Sequence, residues 1–297
     1  MSISTLPRDI LANPVGHPKI YATGRIVRRG LTGISWLVVV VGGVATLLPF
    51  VWMLGVAFRT TGDLYADPAR IWPGQWSLQG FADVWNQLPF TRLIVNTFVF
   101  AGGTTILLLM FDSMTAFALA RLRFRGQNIV FVLILATLMV PFQVTLIPVF
   151  LTIFHLGWLN TYQGLIIPRA TSALGIFMLR QFFMTLPRDL DEAARIDGAN
   201  SFTIYWRIIL PNAKPALASL FIIQFTALWN DFLWPLVISN GITMRTLPSA
   251  LTLFQSQGQV DHAALMAGAA ISLTPLAIAF LLLQRFFVQG VATTGLK

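Results

Sequence analysis

Few side chains in this 297-residue sequence are of the types that carry out catalysis or bind a nucleotide. A phosphate-binding loop ends in Gly-Lys-Ser or Gly-Lys-Thr, because the backbone amides and the lysine hold the phosphates together. The sequence has only three lysines, and none follows a glycine: Lys19, Lys214 and Lys297. Cysteine is absent, and the three histidines are scattered without metal-ligand spacing: His17, His155 and His262. We therefore expect no catalytic residue, no metal and no cofactor on this chain.

A carboxylate inside an apolar run, Asp231, stands among neighbours that could bind a sugar. It adjoins Asn230 and is flanked by Trp229 and Trp234. Aromatic rings stack on the flat C–H faces of a sugar, and the sugar hydroxyls need hydrogen-bonding partners. Further polar candidates for the same pathway are Gln224 and Gln143. A packing cluster that holds this helix to its neighbours would use the same residue types, so both interpretations stay open.

A hydrophilic stretch between two apolar runs, Leu186–Lys214, could form a docking surface. Pro187 is expected to end the preceding helix, since proline cannot donate the next backbone hydrogen bond. Asp189 or Asp191 is expected to cap a short helix of about two to three turns. Gly198 is expected just beyond the end of that helix, because glycine enters the left-handed region at little cost.

The same stretch continues as a second amphipathic segment, Phe202–Leu210, which is expected to end at Pro211. Such a segment can rest on lipid headgroups, or it can dock a cytoplasmic partner. The short helix before Gly198 carries several acids, which anionic lipid would repel, and its small Ala193 and Ala194 would let another backbone come close. These features favour docking over the lipid interpretation.

The elements that position these residues are apolar runs of membrane-spanning length. Only 10% of the residues are charged and 56% are hydrophobic, whereas an average soluble domain has about 25% charged residues. A spanning helix needs about 20 mostly apolar residues. Six runs meet or approach this requirement: Ile34–Phe58, Leu93–Ala120, Gln127–Phe150, Gln163–Met184, Pro215–Ser239 and His262–Gln284. The sequence predicts an all-α membrane protein with six transmembrane helices, and the fourth run, which contains arginines, is the weakest.

The distribution of positive charge orients the six spans. With six spans both termini lie on one side, and assigning that side to the cytoplasm gives it fifteen of the twenty basic residues. The positive-inside rule explains this excess, so the net charge of +9 is no sign of nucleic-acid binding. We expect residues 1–33 to form a cytoplasmic tail and residues 34–297 one membrane domain. Asp112 would then lie near the cytoplasmic end of the second span, in a structural role, paired or snorkelling.

The hydrophilic stretch resembles the cytoplasmic signature loop of ABC importer permeases. That loop has Glu-Ala-Ala, three residues, Gly, nine residues, Ile, one residue and Leu-Pro, and every spacing is matched here by Glu192-Ala193-Ala194, Gly198, Ile208 and Leu210-Pro211. Other segments resemble the carbohydrate branch, of the maltose and glycerol-phosphate type: Trp229–Leu236, Pro141–Gln143, Leu156–Gly164 and Gly290–Lys297. The resemblance covers the chain from about Ile34 to its C-terminus.

The resemblance implies that the loop is a coupling helix between spans 4 and 5 that seats in a groove of a separate ATPase subunit. Glu192 would then make a polar contact with that subunit, Ala193 and Ala194 would face its groove, and Gly198 would supply the turn, with Asp197 beside it. The implied assembly contains a second permease, which in this branch is a different chain as a rule, two ATP-binding subunits and an extracytoplasmic solute-binding protein. That protein would dock on the loops Arg59–Arg92 and Asn240–Asp261, in the bacterial or archaeal cytoplasmic (inner) membrane.

The expected function is therefore the passage of a mono-, di- or oligosaccharide, driven by ATP that another chain hydrolyses. A permease for a phosphorylated polyol or another non-sugar solute is the first rival, and it would need basic groups facing the pathway. Arg169 is the one arginine within the predicted spans that is distant from the cytoplasmic side. A secondary transporter or an intramembrane enzyme is a weaker rival, because the sequence shows neither repeats nor a catalytic cluster.

Overall fold

The computed structural model describes the backbone of residues 21–255 and 261–294, and the side chains of residues 35–253 and 261–282. Within these residues the regular structure is helical throughout and contains no β-strand. A chain that crosses lipid must satisfy its backbone polar groups internally, and helices do so within one segment. The predicted all-α class is confirmed.

The helices of the described residues vary widely in length. In chain order they are α1 (Tyr21–Ala57), α2 (Thr61–Ala66), α3 (Gln79–Gln87), α4 (Phe90–Arg121), α5 (Gln127–Ala136), α6 (Phe142–His155), α7 (Tyr162–Ile166), α8 (Ala173–Thr185), α9 (Asp189–Ile196), α10 (Ser201–Ile204), α11 (Leu210–Asn212), α12 (Lys214–Trp229), α13 (Leu233–Ile238), α14 (Leu247–Leu251) and α15 (His262–Thr294). Short 3₁₀ segments lie at Thr137–Met139, Ile167–Arg169, Ile242–Met244 and Thr252–Gln255, and a π-helical turn covers Tyr205–Ile209.

The chain divides after Trp52 into two compact units. The first holds most of α1, which begins at Tyr21 and so includes the end of the predicted tail. Residues 1–20 of that tail lie outside the described residues. All elements from α2 onward belong to the second unit.

Within the part of the chain that the structure describes, three helices are long and apolar enough to cross a membrane without interruption. They are Ser35–Ala57 of α1, the whole of α4, and His262–Leu282 of α15. These match the first, second and sixth predicted spans, because a long uncharged run leaves the helix as the only low-cost backbone state in lipid.

The third predicted span, Gln127–Phe150, consists of two helices and not one. The helix α5 passes into a 3₁₀ turn, the helical backbone is interrupted at Val140–Pro141, and α6 continues after a bend of 99°. Pro141 lacks the N–H that an uninterrupted helix would donate, and it disfavours helical geometry in the residue before it. Val140 accordingly has an extended backbone, with φ −91° and ψ 110°.

The fourth and fifth predicted spans are also interrupted. The fourth combines α7, the 3₁₀ turn Ile167–Arg169 and the 13-residue α8. In the fifth, α12 ends at Trp229 and α13 starts at Leu233. Ser172 caps α8 with a side-chain hydrogen bond from the Gly175 amide. The carboxylate of Asp231 accepts a hydrogen bond of 3.2 Å from the Trp234 amide.

The hydrophilic stretch forms the expected short helix, α9, with eight residues. Gly198 follows it with a φ of +82°, in the left-handed region that was predicted for it. The predicted cap is wrong: Arg188 occupies the cap position, no side chain caps the helix, and Asp189 and Asp191 lie in its first turn. In this position both acids still interact favourably with the positive end of the helix dipole.

The second segment of the stretch ends later than predicted. A helical run extends over α10, the π turn and α11, from Ser201 to Asn212, and turns by 76° into α12. Pro211 lies near the end of this run, just after the π turn, so its missing N–H removes at most one backbone hydrogen bond there. The break falls instead at Ala213, next to Lys214.

The helices α4 and α8 form the centre of the second unit. Their contact buries Leu108, Ala116, Leu179 and Phe183, together with Ile204, Tyr205 and Ile209 from the hydrophilic stretch. In lipid such contacts depend on close packing and on interhelical hydrogen bonds more than on exclusion of water. A second buried cluster joins Phe100 of α4 to Ile153, Leu165, Trp229 and Trp234.

Asp112 is completely buried in the contact between α4 and α8. Its Oδ1 atom accepts hydrogen bonds from the Thr171 hydroxyl, at 2.8 Å, and from the Ser172 amide, at 3.1 Å. The expected pairing or snorkelling is wrong, because among the described residues the carboxylate forms no ion pair and it is not exposed. It receives the amide at the start of α8 instead.

Gly175 makes the close approach of the Asp112 carboxylate possible. A Cβ atom at this position would collide with the Asp112 carboxylate and lie 3.2 Å from Leu220 Cδ2. We expect Gly175→Ala to destabilise the protein by about 1–3 kcal/mol, the usual cost of overpacking a filled site. The thermal unfolding midpoint of the purified protein measures this effect. Gly102→Ala is the matched control, since a Cβ there meets no described atom within 4 Å. Equal midpoints for the two variants would contradict the prediction.

Candidate functional site

The short helix α9 has one exposed face and one face that packs against the rest of the protein. Glu192, Ala193 and Asp197 are exposed, as expected for a docking helix. Ile196 is 87% exposed, which is unusual for a large apolar side chain. It lies one turn after Glu192, and this spacing could have identified it from the sequence. Ala194 instead is buried in the core and packs with α8, so its side chain is turned away from the exposed face.

Arg121, the last residue of α4, fixes α9 and the end of α8 in place. Its guanidinium donates to the Asp191 carboxylate at 3.2 Å, and to the backbone oxygens of Phe183 at 2.7 Å and Leu186 at 2.9 Å. Arg121 is 5% exposed and Asp191 is 7% exposed. The two oxygens belong to the end of α8, where a helix lacks intrahelical donors. From the sequence, Arg121 was only one more positive charge on the cytoplasmic side.

A further polar contact joins the second half of the hydrophilic stretch to α4. The hydroxyl groups of Tyr205 and Ser113 lie 2.7 Å apart and form a buried hydrogen bond. The Tyr205 ring also packs against Phe117, with 5.4 Å between ring centroids. The whole stretch is therefore attached to α4 at two places, Arg121 and Ser113.

The breaks in three predicted spans meet at an ion pair between Arg169 and Asp231. The distance from Arg169 Nη2 to Asp231 Oδ2 is 3.1 Å, and the guanidinium carbon lies 4.2 Å from the centre of the Phe142 ring. Arg169 ends the 3₁₀ turn before α8, Asp231 lies between α12 and α13, and Phe142 starts α6. The side chains are 27% and 12% exposed. This pair therefore connects the breaks of three predicted spans.

The tryptophans beside Asp231 serve packing. Trp229 and Trp234 are both completely buried. Their indole N–H groups donate to the backbone oxygens of Ser272 and Leu165, each at 3.0 Å. Of the two interpretations that the sequence left open, the structure supports the packing cluster for these two rings.

The remaining pathway candidates are not brought together with Asp231 by hydrogen bonds. Asn230 is exposed, and its side chain donates to the Thr226 oxygen at 2.9 Å. Gln224 donates to the Ser172 hydroxyl at 3.2 Å. Gln143 is exposed in the first turn of α6. The ion-pair partner that the structure gives Asp231 is Arg169, which is distant in sequence, so spacing could not have revealed it.

The loops Arg59–Arg92 and Asn240–Asp261 pack on each other through α3, α14 and the start of α15. Residues 256–260 of the second loop lie outside the described residues. The buried Arg59 organises the first loop, since its guanidinium donates to the Asp63 carboxylate at 2.7 Å and to backbone oxygens of Asp67 and Arg70. The hydrogen bond from Arg59 lowers the pKa of the Asp63 carboxyl below its ordinary value.

Comparison with known proteins identifies the kind of molecule that carries these features. Residues 113–293 match the family model of the binding-protein-dependent transport system inner membrane component. The chain belongs to this family. The matched residues of the transport component include α9 with its Arg121 anchor, the Arg169–Asp231 pair and the interrupted helices.

Relatives of the transport component match over nearly their whole length. The sn-glycerol-3-phosphate transport system permease protein UgpE of Yersinia pestis bv. Antiqua (strain Antiqua) is 34% identical over 271 residues, which is 89% of this chain and 96% of the relative. The probable ABC transporter permease protein YurM of Bacillus subtilis (strain 168) is 32% identical over 264 residues, which covers 88% and 87% of the two chains.

Solved structures share the fold of the transport component. A chain of a bacterial ABC transporter involved in the import of the acidic polysaccharide alginate superposes with a TM-score of 0.78 at 22% identity, covering 91% of this chain and 100% of that one. A chain of the bacterial alginate ABC transporter in complex with an alginate pentasaccharide-bound periplasmic protein gives 0.65 at 15% identity, with 87% and 94% covered.

The Arg121–Asp191 pair should be essential for a stable transport component. We expect Asp191→Ala to cost about 3–5 kcal/mol, because it leaves a buried guanidinium without its counter-charge. Thermal unfolding of the purified protein measures the loss. Asp189→Ala is the matched control, an exposed acid in the same helical turn. The double variant Arg121→Met/Asp191→Leu should regain part of the stability, since apolar pairs often replace buried ion pairs at little cost. A single variant as stable as its control would refute the assigned role.

Proposed function

We propose that this chain is the transmembrane subunit of an ATP-driven importer, and that it forms part of the pathway for a carbohydrate while a separate subunit hydrolyses ATP. The family match and the two permease relatives support this assignment. The observation that carries it is the exposed face of α9 on a helix held rigidly to α4 and α8 by Arg121. A partner that moves this face moves the helices behind it.

In this proposal the ATPase subunit contacts Glu192, Ala193, Ile196 and Asp197, with Gly198 as the turn. Glu192 offers a charge for an ion pair, and the exposed Ile196 offers an apolar side chain for a groove. The absence of a phosphate-binding sequence on this chain agrees with hydrolysis elsewhere. Two ATP-binding subunits and a second, different permease complete the assembly.

The orientation follows from the positive charges. The hydrophilic stretch and both termini lie on the cytoplasmic side of a bacterial or archaeal cytoplasmic membrane, where most of the arginines are found. The loops Arg59–Arg92 and Asn240–Asp261 then face the outside and receive the solute-binding protein. Exposed aromatic side chains on the first loop suit such a contact: Tyr65, Trp72, Trp76 and Trp85.

The Arg169–Asp231 pair is proposed to border the pathway. Because Asp231 neutralises Arg169, this chain offers a solute paired charges beside an aromatic ring, which suits an uncharged carbohydrate with many hydroxyls. The UgpE relative transports sn-glycerol-3-phosphate according to its name, so a phosphorylated polyol is the second candidate. That solute would require Arg169 to leave Asp231 and bind the phosphate.

Reversal of the charge at the docking face tests the proposed coupling. We expect Glu192→Lys to lower ATP-dependent uptake by at least about tenfold, the effect of losing roughly 1.4 kcal/mol at an interface. The permease should still insert and pair with its partner permease, because Glu192 is exposed. Uptake of a panel of labelled sugars by proteoliposomes containing the whole complex is the measurement. Asp189→Lys, on the same helix, is the matched control, and unchanged transport by Glu192→Lys would sink the coupling hypothesis.

Exchange of the two charges tests the pathway. Asp231→Arg alone should impair uptake or assembly strongly, since it places two like charges against each other. The double variant Arg169→Asp/Asp231→Arg should restore assembly, because the pair is rebuilt in reverse. Uptake of sugars and of sn-glycerol-3-phosphate is then compared with the wild type. If Asp231→Arg keeps wild-type uptake and assembly, the pair has no role in either. If the wild type takes up the phosphate ester and Arg169→Gln does not, the second candidate is favoured.

A further inference from the structure

The two halves of the hydrophilic stretch expose surfaces of opposite character. The first half, α9 with the residue that follows it, contains all the acids of the stretch from Asp189 onward: Asp189, Asp191, Glu192 and Asp197. The second half, the helical run Ser201–Asn212 with Lys214 after it, contains no acid, and its bases Arg207 and Lys214 are both exposed. Two large rings of this run are exposed as well, Phe202 to 62% and Trp206 to 45%. These four side chains are called the aromatic surface below.

The rings of the aromatic surface form one patch whose position is fixed by the residue between them and α4. Phe202 and Trp206 lie about one helical turn apart, with 6.1 Å between ring centroids. The Trp206 ring also packs edge-on against Tyr205, at 5.3 Å. Because Tyr205 is buried and hydrogen-bonded to Ser113 of α4, α4 determines how deep the patch lies in a bilayer.

The length of α4 gives that depth. Its 32 residues extend over about 48 Å, whereas a bilayer measures about 40–45 Å with its headgroups and about 30 Å without them. A helix of this length, centred on the bilayer, ends at the outer edge of the headgroups, and the charge of Arg121 at its end agrees with this position. Tyr205 contacts Ser113 and Phe117, which lie about two turns and about one turn before Arg121, or roughly 12 and 6 Å nearer the bilayer centre.

Tyr205 and the aromatic surface therefore lie where the headgroups meet the hydrocarbon. A smaller protrusion of α4 would place them deeper still. The helix α9 lies farther out, since its Asp191 contacts Arg121 at the very end of α4. A water-soluble subunit that meets α9 does not reach the depth of Tyr205. The exposed rings beside Tyr205 thus need a different partner.

The orientation and chemistry of the run suit the bilayer surface. The run turns by 76° into α12, which continues as the fifth span, so it lies close to the membrane plane when α12 crosses steeply. Tryptophan rings are enriched at the membrane interface, and exposed lysines and arginines beside an apolar face attract anionic headgroups. The absence of acids from Ser201 to Lys214 leaves this attraction unopposed.

We propose that the aromatic surface is an interfacial anchor that binds anionic lipid headgroups, in the cytoplasmic leaflet for the orientation proposed above. Phe202 and Trp206 lie among the glycerol groups and the upper acyl chains, while Arg207 and Lys214 contact the phosphates. The anchor sets the distance by which α9 projects from the bilayer toward its partner. This inference goes beyond the proposed function and does not depend on which subunit meets α9.

Contact with lipid is tested by fluorescence quenching at single sites. The chain has no cysteine, so an introduced cysteine takes a thiol-reactive fluorophore at one position. Trp206→Cys and, as a second site, Phe202→Cys are labelled in the whole complex with cysteine-free partner subunits, in nanodiscs of phosphatidylcholine and phosphatidylglycerol. We expect strong quenching by lipids that are brominated on their acyl chains and little by iodide in the water. Ile196→Cys on α9, where the side chain is 87% exposed, is the matched control and should show the reverse order.

The choice of headgroup is measured with the same label at Phe202→Cys. Bromine is placed either on phosphatidylglycerol or on phosphatidylcholine, and the ratio of the two quenching effects gives the lipid preference at the label. We expect a preference for phosphatidylglycerol that Arg207→Gln lowers about fivefold, the effect of one basic side chain at an anionic surface. Arg195→Gln is the matched control, since it removes an exposed base of α9, outside the bilayer, and it should leave the preference unchanged.

Three results would overturn the proposal. Iodide quenching at both labelled rings as strong as at Ile196→Cys would place the surface in water. Protection from iodide and from brominated lipid alike would show that a protein subunit covers it. An equal lipid preference with and without Arg207→Gln would remove the role of charge. The readout is lipid contact and not transport, so none of these results bears on the coupling through α9.

Discussion

A helix that ends inside a bilayer leaves backbone donors and acceptors that lipid cannot satisfy. In this chain polar side chains of neighbouring segments supply the missing partners. Asp112 and Ser172 accept amide hydrogens at the start of α8, Arg121 donates to the oxygens at its end, and Asp231 accepts the amide that opens α13. These contacts make short and broken helices possible at membrane depth. The architecture depends on them, because every interruption would otherwise expose unpaired backbone groups.

The same contacts decide which parts of the molecule can move together. Asp112 attaches the start of α8 to α4, and Arg121 attaches its end, so the two helices are joined at both ends of α8. The Tyr205–Ser113 hydrogen bond adds the second half of the hydrophilic stretch. We therefore expect this group of helices to respond to a push on α9 as one body. Bending would be confined to the breaks near Pro141, Arg169 and Asp231, where the ladder of backbone hydrogen bonds is already interrupted.

Local sequence signals predicted those features that depend on one segment at a time. The long uncharged runs became α1, α4 and α15, and Gly198 took the left-handed conformation, because these outcomes follow from burial in lipid and from backbone sterics. The break in the third span lies at Pro141, where the missing N–H by itself favours an interruption. The break in the fifth span was missed, since an aspartate in an apolar run does not show which distant side chain will compensate it. For the same reason the partners Arg169 of Asp231 and Thr171 of Asp112 could not be read from spacing. Trp229 and Trp234 resembled ligand-binding rings only because their backbone acceptors lie in other helices.

Arg121, at the end of α4, shows why an arginine can make several contacts there that a lysine cannot. Its planar group carries five N–H donors in fixed directions. One nitrogen bonds to Asp191, and another bonds to both Phe183 and Leu186. A lysine carries its three donors on a single atom, so the carboxylate and both helix-end oxygens would have to converge on one nitrogen. Because one guanidinium holds both the end of α8 and the acid of α9, a change at Arg121 must alter the positions of both helices together.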